Sequence, residues 1–118
     1  MIRETKIKLP IYGGTVIILI ADDMTELNAK YNLGVDESID GAVWKKTTKK
    51  GYSKYLIALN VKSENHVLVH EVVHLVNCIF SNVDLKLDRD NDEAQAYLTG
   101  WLYRNIEREF NIYRNKKK

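Results

Sequence analysis

Runs of apolar residues in the first half of the chain predict a small sheet. Residues 16–20 form a continuous β-branched and leucine run behind two glycines, which predicts a buried strand. Residues 41–48 and residues 52–60 predict the two strands of a hairpin. The turn is expected near residues 49–51, Lys-Lys-Gly, because glycine adopts the positive φ that such turns require.

Helices are predicted where apolar spacing follows a capping residue. Residues 22–31 predict a short helix with Asp22 or Asp23 as its N-cap, and a following Asn-Leu-Gly sequence ends it. The most apolar helix of the chain is predicted from Ser63, whose hydroxyl can cap the first turn, to about Phe80.

A last helix is predicted after Asp90 or Asn91 and continues to about Tyr113. The order is then strand, helix, hairpin, helix, helix. Hairpin strands with helices gathered at one end are typical of an α+β fold. The length predicts a single domain over residues 1–118, with a basic tail at residues 113–118.

Composition narrows the class of protein without indicating a partner. The chain is 45% hydrophobic and 29% charged with a net charge of +2, which is typical of a soluble globular domain. Basic residues cluster at residues 45–50 and 114–118. No aromatic residues are interleaved with them, so we interpret them as a solvated turn and tail rather than a nucleic-acid surface.

Cysteine content and the N-terminal sequence predict a cytoplasmic location. Cys78 is the only cysteine, so the fold cannot depend on an internal disulfide. The chain begins without a secretory leader pattern, and the apolar run at residues 16–20 is too short to span a membrane. A phage-encoded protein of this kind would act inside the host cell.

The candidate chemistry lies in residues 70–74, His-Glu-Val-Val-His, an HExxH motif in the middle of the predicted apolar helix. Residues four apart share one helix face, so His70 and His74 can reach one metal ion. Glu71 points about 100° away around the axis, where it can accept a proton from metal-held water. Apolar neighbours make unpaired polar groups costly here, which a metal would relieve. The alternative is a pair of hydrogen-bonded core histidines.

The third ligand is predicted to be a carboxylate. Catalytic zinc usually has three protein ligands and an open position, and the chain contains no histidine after His74. Glu93, at the start of the last helix, is the first candidate, and Asp92 is the second. Asp88 and Asp90 are further alternatives. Without the motif, Glu93 would be interpreted as an acidic residue stabilised by the helix dipole.

Two sequence blocks resemble the gluzincin branch of the zincin metallopeptidases, which carry HExxH on one helix and a zinc-binding glutamate on a following helix. The blocks are residues 70–74 and residues 92–101, Asp-Glu-Ala-Gln-Ala-Tyr-Leu-Thr-Gly-Trp. The chain is most similar to the compact minigluzincins and to short metallopeptidase-like proteins of bacteriophage and other mobile elements. The resemblance covers the C-terminal half by motif and the N-terminal half by the order of elements.

The resemblance implies a zincin-like fold, in which a short twisted sheet with the hairpin packs on the HExxH helix and a glutamate-bearing helix follows. It implies zinc held by His70, His74 and Glu93, with Glu71 as general base for hydrolysis of peptide bonds within a chain. The substrate would bind as an extended strand along an edge strand within residues 41–60. Which strand of the hairpin is outermost stays open.

The chain departs from larger gluzincins around the zinc ligands. Tyr97 occupies the position at which larger gluzincins often carry an aspartate that orients a zinc ligand. They also place a downstream histidine near the transition-state oxyanion, and this chain has no histidine after His74. Tyr97 or Tyr103 could take such a role, with simple packing as the alternative. His66, one turn before His70, is expected at the cleft rim, with substrate or oxyanion contact as the alternative. Cys78 is expected to be a buried apolar residue rather than a ligand.

Other functions stay open on the sequence. One is a catalytically inactive zinc-binding protein. Another is a partner-binding or nucleic-acid-binding module in which the motif is accidental. Within enzymes, a peptidase dedicated to one regulatory protein is an alternative to a broader peptidase. Zinc content, chelation and the Glu71→Gln substitution distinguish the first two from a peptidase.

Overall fold

The computed structural model describes residues 1–34, 36, 38–47 and 53–116, which form four strands and three helices. None of the helices in these ranges is long and apolar enough to cross a membrane. In chain order the elements are β1 (Ile2–Lys8), β2 (Thr15–Ala21), α1 (Met24–Tyr31), β3 (Gly41–Thr47), β4 (Ser53–Asn60), α2 (Asn65–Asn82) and α3 (Glu93–Lys116).

The strands form one mixed sheet in the order β1-β2-β4-β3. β1 and β2 pair antiparallel, β2 and β4 pair parallel, and β3 and β4 pair antiparallel. This arrangement confirms the predicted α+β class and the three predicted strands, while the predicted turn at residues 49–51 lies outside the described residues. Of the two hairpin strands, β3 is the one at the edge of the described sheet.

Helices cover both faces of the sheet, rather than gathering at one end as the order of elements suggested. β2 is buried on both faces, which explains its continuous apolar run. Alternate β2 residues face the core shared with α2 and α3, namely Val16, Ile18 and Ile20. The others face the smaller core under α1, namely Ile17, Leu19 and Ala21.

β1 is the strand that the apolar pattern did not predict. Its Arg3 donates to a carboxylate oxygen of Glu109 from Nε at 2.8 Å and from Nη2 at 2.7 Å. The Thr5 hydroxyl donates to the same oxygen at 3.0 Å. Glu109 is only 7% exposed, so Arg3 and Thr5 bind a buried carboxylate, while Ile7 on the same face of the strand packs against the main core. The strand therefore carries no alternating apolar signal.

Asp23 is the N-cap of α1, as predicted from the sequence. Its backbone is extended, and its side chain accepts a hydrogen bond from the Glu26 N–H at 3.0 Å. Asn32 ends the helix in the left-handed conformation, which lets its N–H donate to the Asn28 carbonyl. Both ends of α1 therefore follow from local side-chain chemistry.

Replacing Asp23 with alanine is expected to lower the free energy of unfolding by about 1 kcal/mol, because the Glu26 N–H loses its acceptor. Glu64 provides a matched control, since it occupies the N-cap position of α2 without a side-chain cap bond. Glu64→Ala is expected to change the free energy of unfolding by less than about 0.5 kcal/mol. Urea unfolding of the three proteins measures both effects, and equal destabilisation by the two substitutions would contradict the assignment.

α2 begins at Asn65, and the predicted cap at Ser63 is wrong. Ser63 is buried, and its hydroxyl donates to the Asp40 carbonyl at 3.4 Å instead of accepting from the first turn of the helix. The Asp40 carbonyl, just before β3, thus binds the Ser63 hydroxyl that was expected to cap α2. This contact ties the start of α2 to the start of β3.

α3 (Glu93–Lys116) lies antiparallel to α2 on the same face of the sheet. Tyr103 hydrogen-bonds with the side chain of Asn65 at the start of α2. Ala94 and Phe80 line a common cavity at the other end of α2. α3 begins slightly after the predicted aspartate or asparagine cap and continues beyond its predicted end.

Candidate metal centre

The HExxH motif lies on α2, the helix that joins the sheet to α3. Leu68, Val72 and Leu75 of α2 are fully buried in the main core. The opposite face of the helix is open, because Val69 and Val73 are 46% and 44% exposed. The apolar cover expected around the motif is therefore one-sided, and the two motif histidines lie on the open face.

His70 and His74 converge on one point outside the helix. Their Nε2 atoms are 3.1 Å apart, and the rings meet edge to face at 72°. Two nitrogens bound to one tetrahedral zinc at 2.0–2.1 Å would be about 3.3 Å apart, so this pair fits a shared zinc ion. The same separation suits a hydrogen bond between one neutral ring and the other. Both rings are exposed, so the pair is not the core hydrogen-bonded pair considered as the alternative.

Glu71 points away from the open face toward β3 and is 7% exposed. Its Oε1 lies 4.0 Å from His70 Nε2, and within the described residues its carboxylate accepts no hydrogen bond. Burial raises the pKa of Glu71 above its ordinary value, although the two neighbouring imidazoles oppose the shift. A buried carboxylate beside the histidine pair is suited to accept and return a proton.

Gly41 makes room for Glu71 at the start of β3. A Cβ atom built at this glycine would lie 2.8 Å from Glu71 Cγ and 3.2 Å from the Ala58 carbonyl oxygen. Both distances are shorter than an ordinary van der Waals contact, and the carbonyl belongs to the neighbouring strand. Any other residue at position 41 would displace the Glu71 side chain or the edge strand.

β3 and α2 run side by side in the same direction, with a groove between them. The Asp40 carbonyl is bonded to Ser63, just before α2, and Lys45 Nζ donates to Asn82 Oδ1 at 2.6 Å at the end of α2. Glu71 lies between these two contacts. The motif therefore lies beside β3, the edge strand of the described sheet.

Glu93 is not joined to the histidine pair. It is an exposed side chain at the first position of α3. In the ranges that the structure describes, no three His, Cys, Asp or Glu side chains are close enough together to hold one metal ion. The three aspartates considered as alternatives, Asp88, Asp90 and Asp92, are exposed as well. Asp88 is engaged in a local turn, where its carboxylate accepts from the Asp90 N–H at 2.9 Å.

The two tyrosines proposed as supporting groups lie at different places. Tyr97 is 77% exposed and lines an apolar cavity with Tyr12 and Trp101. Tyr103 hydrogen-bonds with Glu107, which raises the pKa of its phenol. Neither contact links a tyrosine to the histidine pair.

His66 and Cys78 line the groove at opposite ends of the motif. His66 lines a cavity together with His70 and Glu71, which agrees with its predicted place at the rim. Cys78 is half-buried and lines a second cavity with Glu71. Burial raises the pKa of the Cys78 thiol, while the positive charge of Lys45 opposes the shift. Cys78 is thus a wall of the groove rather than only a core residue.

Sequence reasoning missed three residues that line the groove, namely Asp40 and Gly41 on the β3 side and Asn77 on α2. None belongs to a recognisable motif, and their relevance depends on the packing of β3 along α2. Comparisons of the chain with protein-family models, with curated proteins and with solved structures find no significant match. The function of this chain is therefore inferred from the residues and geometry of the groove itself.

Proposed function

We propose that the protein is a zinc-dependent peptidase that hydrolyses bonds within a polypeptide chain. The observation that carries the proposal is the 3.1 Å separation of the His70 and His74 Nε2 atoms, with a buried Glu71 on the side facing the groove. Two nitrogens at zinc-ligand spacing and one secluded carboxylate beside them are two of the parts that metal-assisted hydrolysis needs.

Glu93 is proposed as the third ligand. The choice rests on the resemblance, in which the third zinc ligand is a glutamate on the helix that follows the motif. Ala94 and Phe80 line a common cavity, so Glu93 lies nearer to the C-terminal end of α2 than to the histidine pair. Its exposed side chain, together with the first turn of α3, would move toward the histidines when zinc binds.

Zinc at this site would supply Lewis-acid chemistry, polarising the scissile carbonyl and lowering the pKa of water. The protein's own contribution is made by Glu71. Its carboxylate accepts the proton of the attacking water and then delivers that proton to the leaving amine. Its position between α2 and β3 keeps it beside His70 and in contact with the groove.

The substrate is proposed to bind as an extended strand beside β3. The only described neighbour of β3 in the sheet is β4, so the outer edge of β3 is available for strand addition. Main-chain hydrogen bonds to β3 would hold the substrate across the groove. The bond to be hydrolysed would then pass over Glu71, which lines both halves of the groove.

If the proposal is correct, substitutions of Glu71 and of His70 will have different effects on zinc content and on peptide hydrolysis. Glu71→Gln must keep zinc and lose hydrolysis, whereas His70→Ala must lose both. If the wild-type protein binds zinc but cleaves no peptide, it is instead a catalytically inactive zinc-binding protein.

Gly41→Ala is expected to lower kcat/KM for peptide hydrolysis by about tenfold to 100-fold, because the added methyl group displaces Glu71. Gly100→Ala is the matched control, since a Cβ there meets nothing within 4 Å. The control is expected to keep full activity, and both variants are expected to keep their zinc. Steady-state kinetics on a quenched-fluorescence peptide give the comparison, and full activity in Gly41→Ala would contradict the role of this close contact.

A further inference from the structure

The groove between β3 and α2 consists of two cavities that meet at Glu71. Both cavities are lined by Gly41 and by the buried Glu71. The first continues along residues 38–40 toward the start of α2. The second continues along β3 to Asn77 and Cys78. A segment that crosses Glu71 therefore contacts both cavities.

The first cavity is bordered by carboxylates. Asp40 lines it directly. Asp36 is near it in the chain, and its carboxylate accepts from the N–H and the hydroxyl of Ser38, a lining residue, at 2.8 Å each. These hydrogen bonds lower the pKa of Asp36, so the group is ionised at neutral pH. Lys62 and Arg114 belong to adjoining segments, and neither lines the cavity.

Lys45 lies at the far end of the second cavity, close to Cys78, which lines it. Lys45 is bonded to Asn82 and lies near enough to the Cys78 thiol to affect its pKa. Glu71 is the only carboxylate among the residues that line this cavity. The two ends of the groove thus carry opposite charge.

We infer that the groove selects polypeptide segments that carry a basic side chain at the Asp40 end and an acidic side chain at the Lys45 end. This inference rests on the proposed function and specifies its substrate class. Complementary charge at two separate points gives specificity and fixes register more than it adds affinity. Five strand residues from Asp40 to Lys45 span about 17 Å, so the two charges on the segment should be about four to five residues apart.

The test compares two fluorescein-labelled peptides of identical composition. Each carries one Lys and one Asp five residues apart, and the positions of the two charged residues are exchanged between the peptides. Binding to the Glu71→Gln protein is measured by fluorescence anisotropy at low ionic strength. One peptide is expected to bind about fivefold to tenfold more tightly than the other, and added salt should reduce the difference. The doubly substituted Asp40→Lys, Lys45→Glu protein is expected to invert the preference. The single variants Asp40→Asn and Lys45→Gln are each expected to reduce it, and they remain informative if the double variant does not fold.

Equal binding of the two peptides, an unchanged preference in the charge-exchanged protein, or no binding of either peptide would overturn the inference. These readouts do not depend on hydrolysis. Absence of zinc or of cleavage in the wild type would refute the proposed function while leaving the charge preference intact. Cleavage by a wild type that shows no charge preference would refute the inference alone.

Discussion

Glu71→Gln is expected to lower kcat/KM for peptide hydrolysis by about 10²- to 10⁴-fold, the usual contribution of a general base. Glutamine keeps the shape of the side chain but cannot take a proton from water. The substitution should not weaken zinc binding, because Glu71 faces β3 while the Nε2 atoms of His70 and His74 converge on the open face of α2. Kinetics on a quenched-fluorescence peptide and elemental analysis for zinc, on the same preparation, measure both properties.

Glu26→Gln serves as the control for this substitution. Glu26 lies on α1, which covers the other face of the sheet, and its carboxylate binds the N-terminal ammonium. The control should therefore keep its hydrolytic activity. Undiminished hydrolysis in Glu71→Gln would remove Glu71 from the mechanism, and loss of zinc together with hydrolysis would indicate a structural role for the carboxylate.

The strand β2 shows where local sequence is sufficient to predict structure. It is buried on both faces, so every position from Val16 to Ile20 is apolar and the run is visible without tertiary information. β1 shows the opposite case. Two of its inward side chains, Arg3 and Thr5, bind Glu109 on α3, about a hundred residues away, and no window of sequence contains both partners.

Capping shows a similar division. The Asp23 carboxylate binds an N–H three residues ahead, so the start of α1 is determined locally. The Ser63 hydroxyl has the same local option but bonds to the carbonyl of Asp40 instead. That choice depends on how β3 packs beside α2. A capping residue in the sequence therefore predicts a helix start only when no tertiary acceptor competes for it.

The candidate site follows the same rule. The helical period alone predicts that His70 and His74 share a face while Glu71 points elsewhere, and the structure agrees. The groove could not be predicted in this way. It requires Gly41 on the edge strand to lie against Glu71, and it depends on the register between β3 and α2.

Elemental analysis is expected to find about one zinc per chain in wild-type protein purified without added metal or an affinity tag. His70→Ala and His74→Ala are each expected to weaken zinc binding by more than about 100-fold. Removing a residue that only hydrogen-bonds to a zinc ligand can already weaken binding by up to about 100-fold, and removing the ligand itself should weaken it more. His66→Ala is the matched control on the same helix face. Its Nδ1 lies 3.3 Å from a Glu64 carboxylate oxygen, and three histidines on one straight face do not converge on a tetrahedral ion. Loss of zinc in His66→Ala alone would contradict the assigned pair.

Glu93→Ala decides whether the site is completed from α3. Two imidazoles bind zinc more weakly than three protein ligands do, so the variant should lose most of its zinc under dilute chelator while the wild type keeps it. Because Glu93 is exposed at the start of α3, its removal should leave the fold intact, and thermal unfolding of the metal-free proteins should agree. If Glu93→Ala keeps zinc and Asp92→Ala loses it, the third ligand is Asp92 rather than Glu93. Zinc kept by both variants would show that the histidine pair binds the ion without a ligand from this turn of α3.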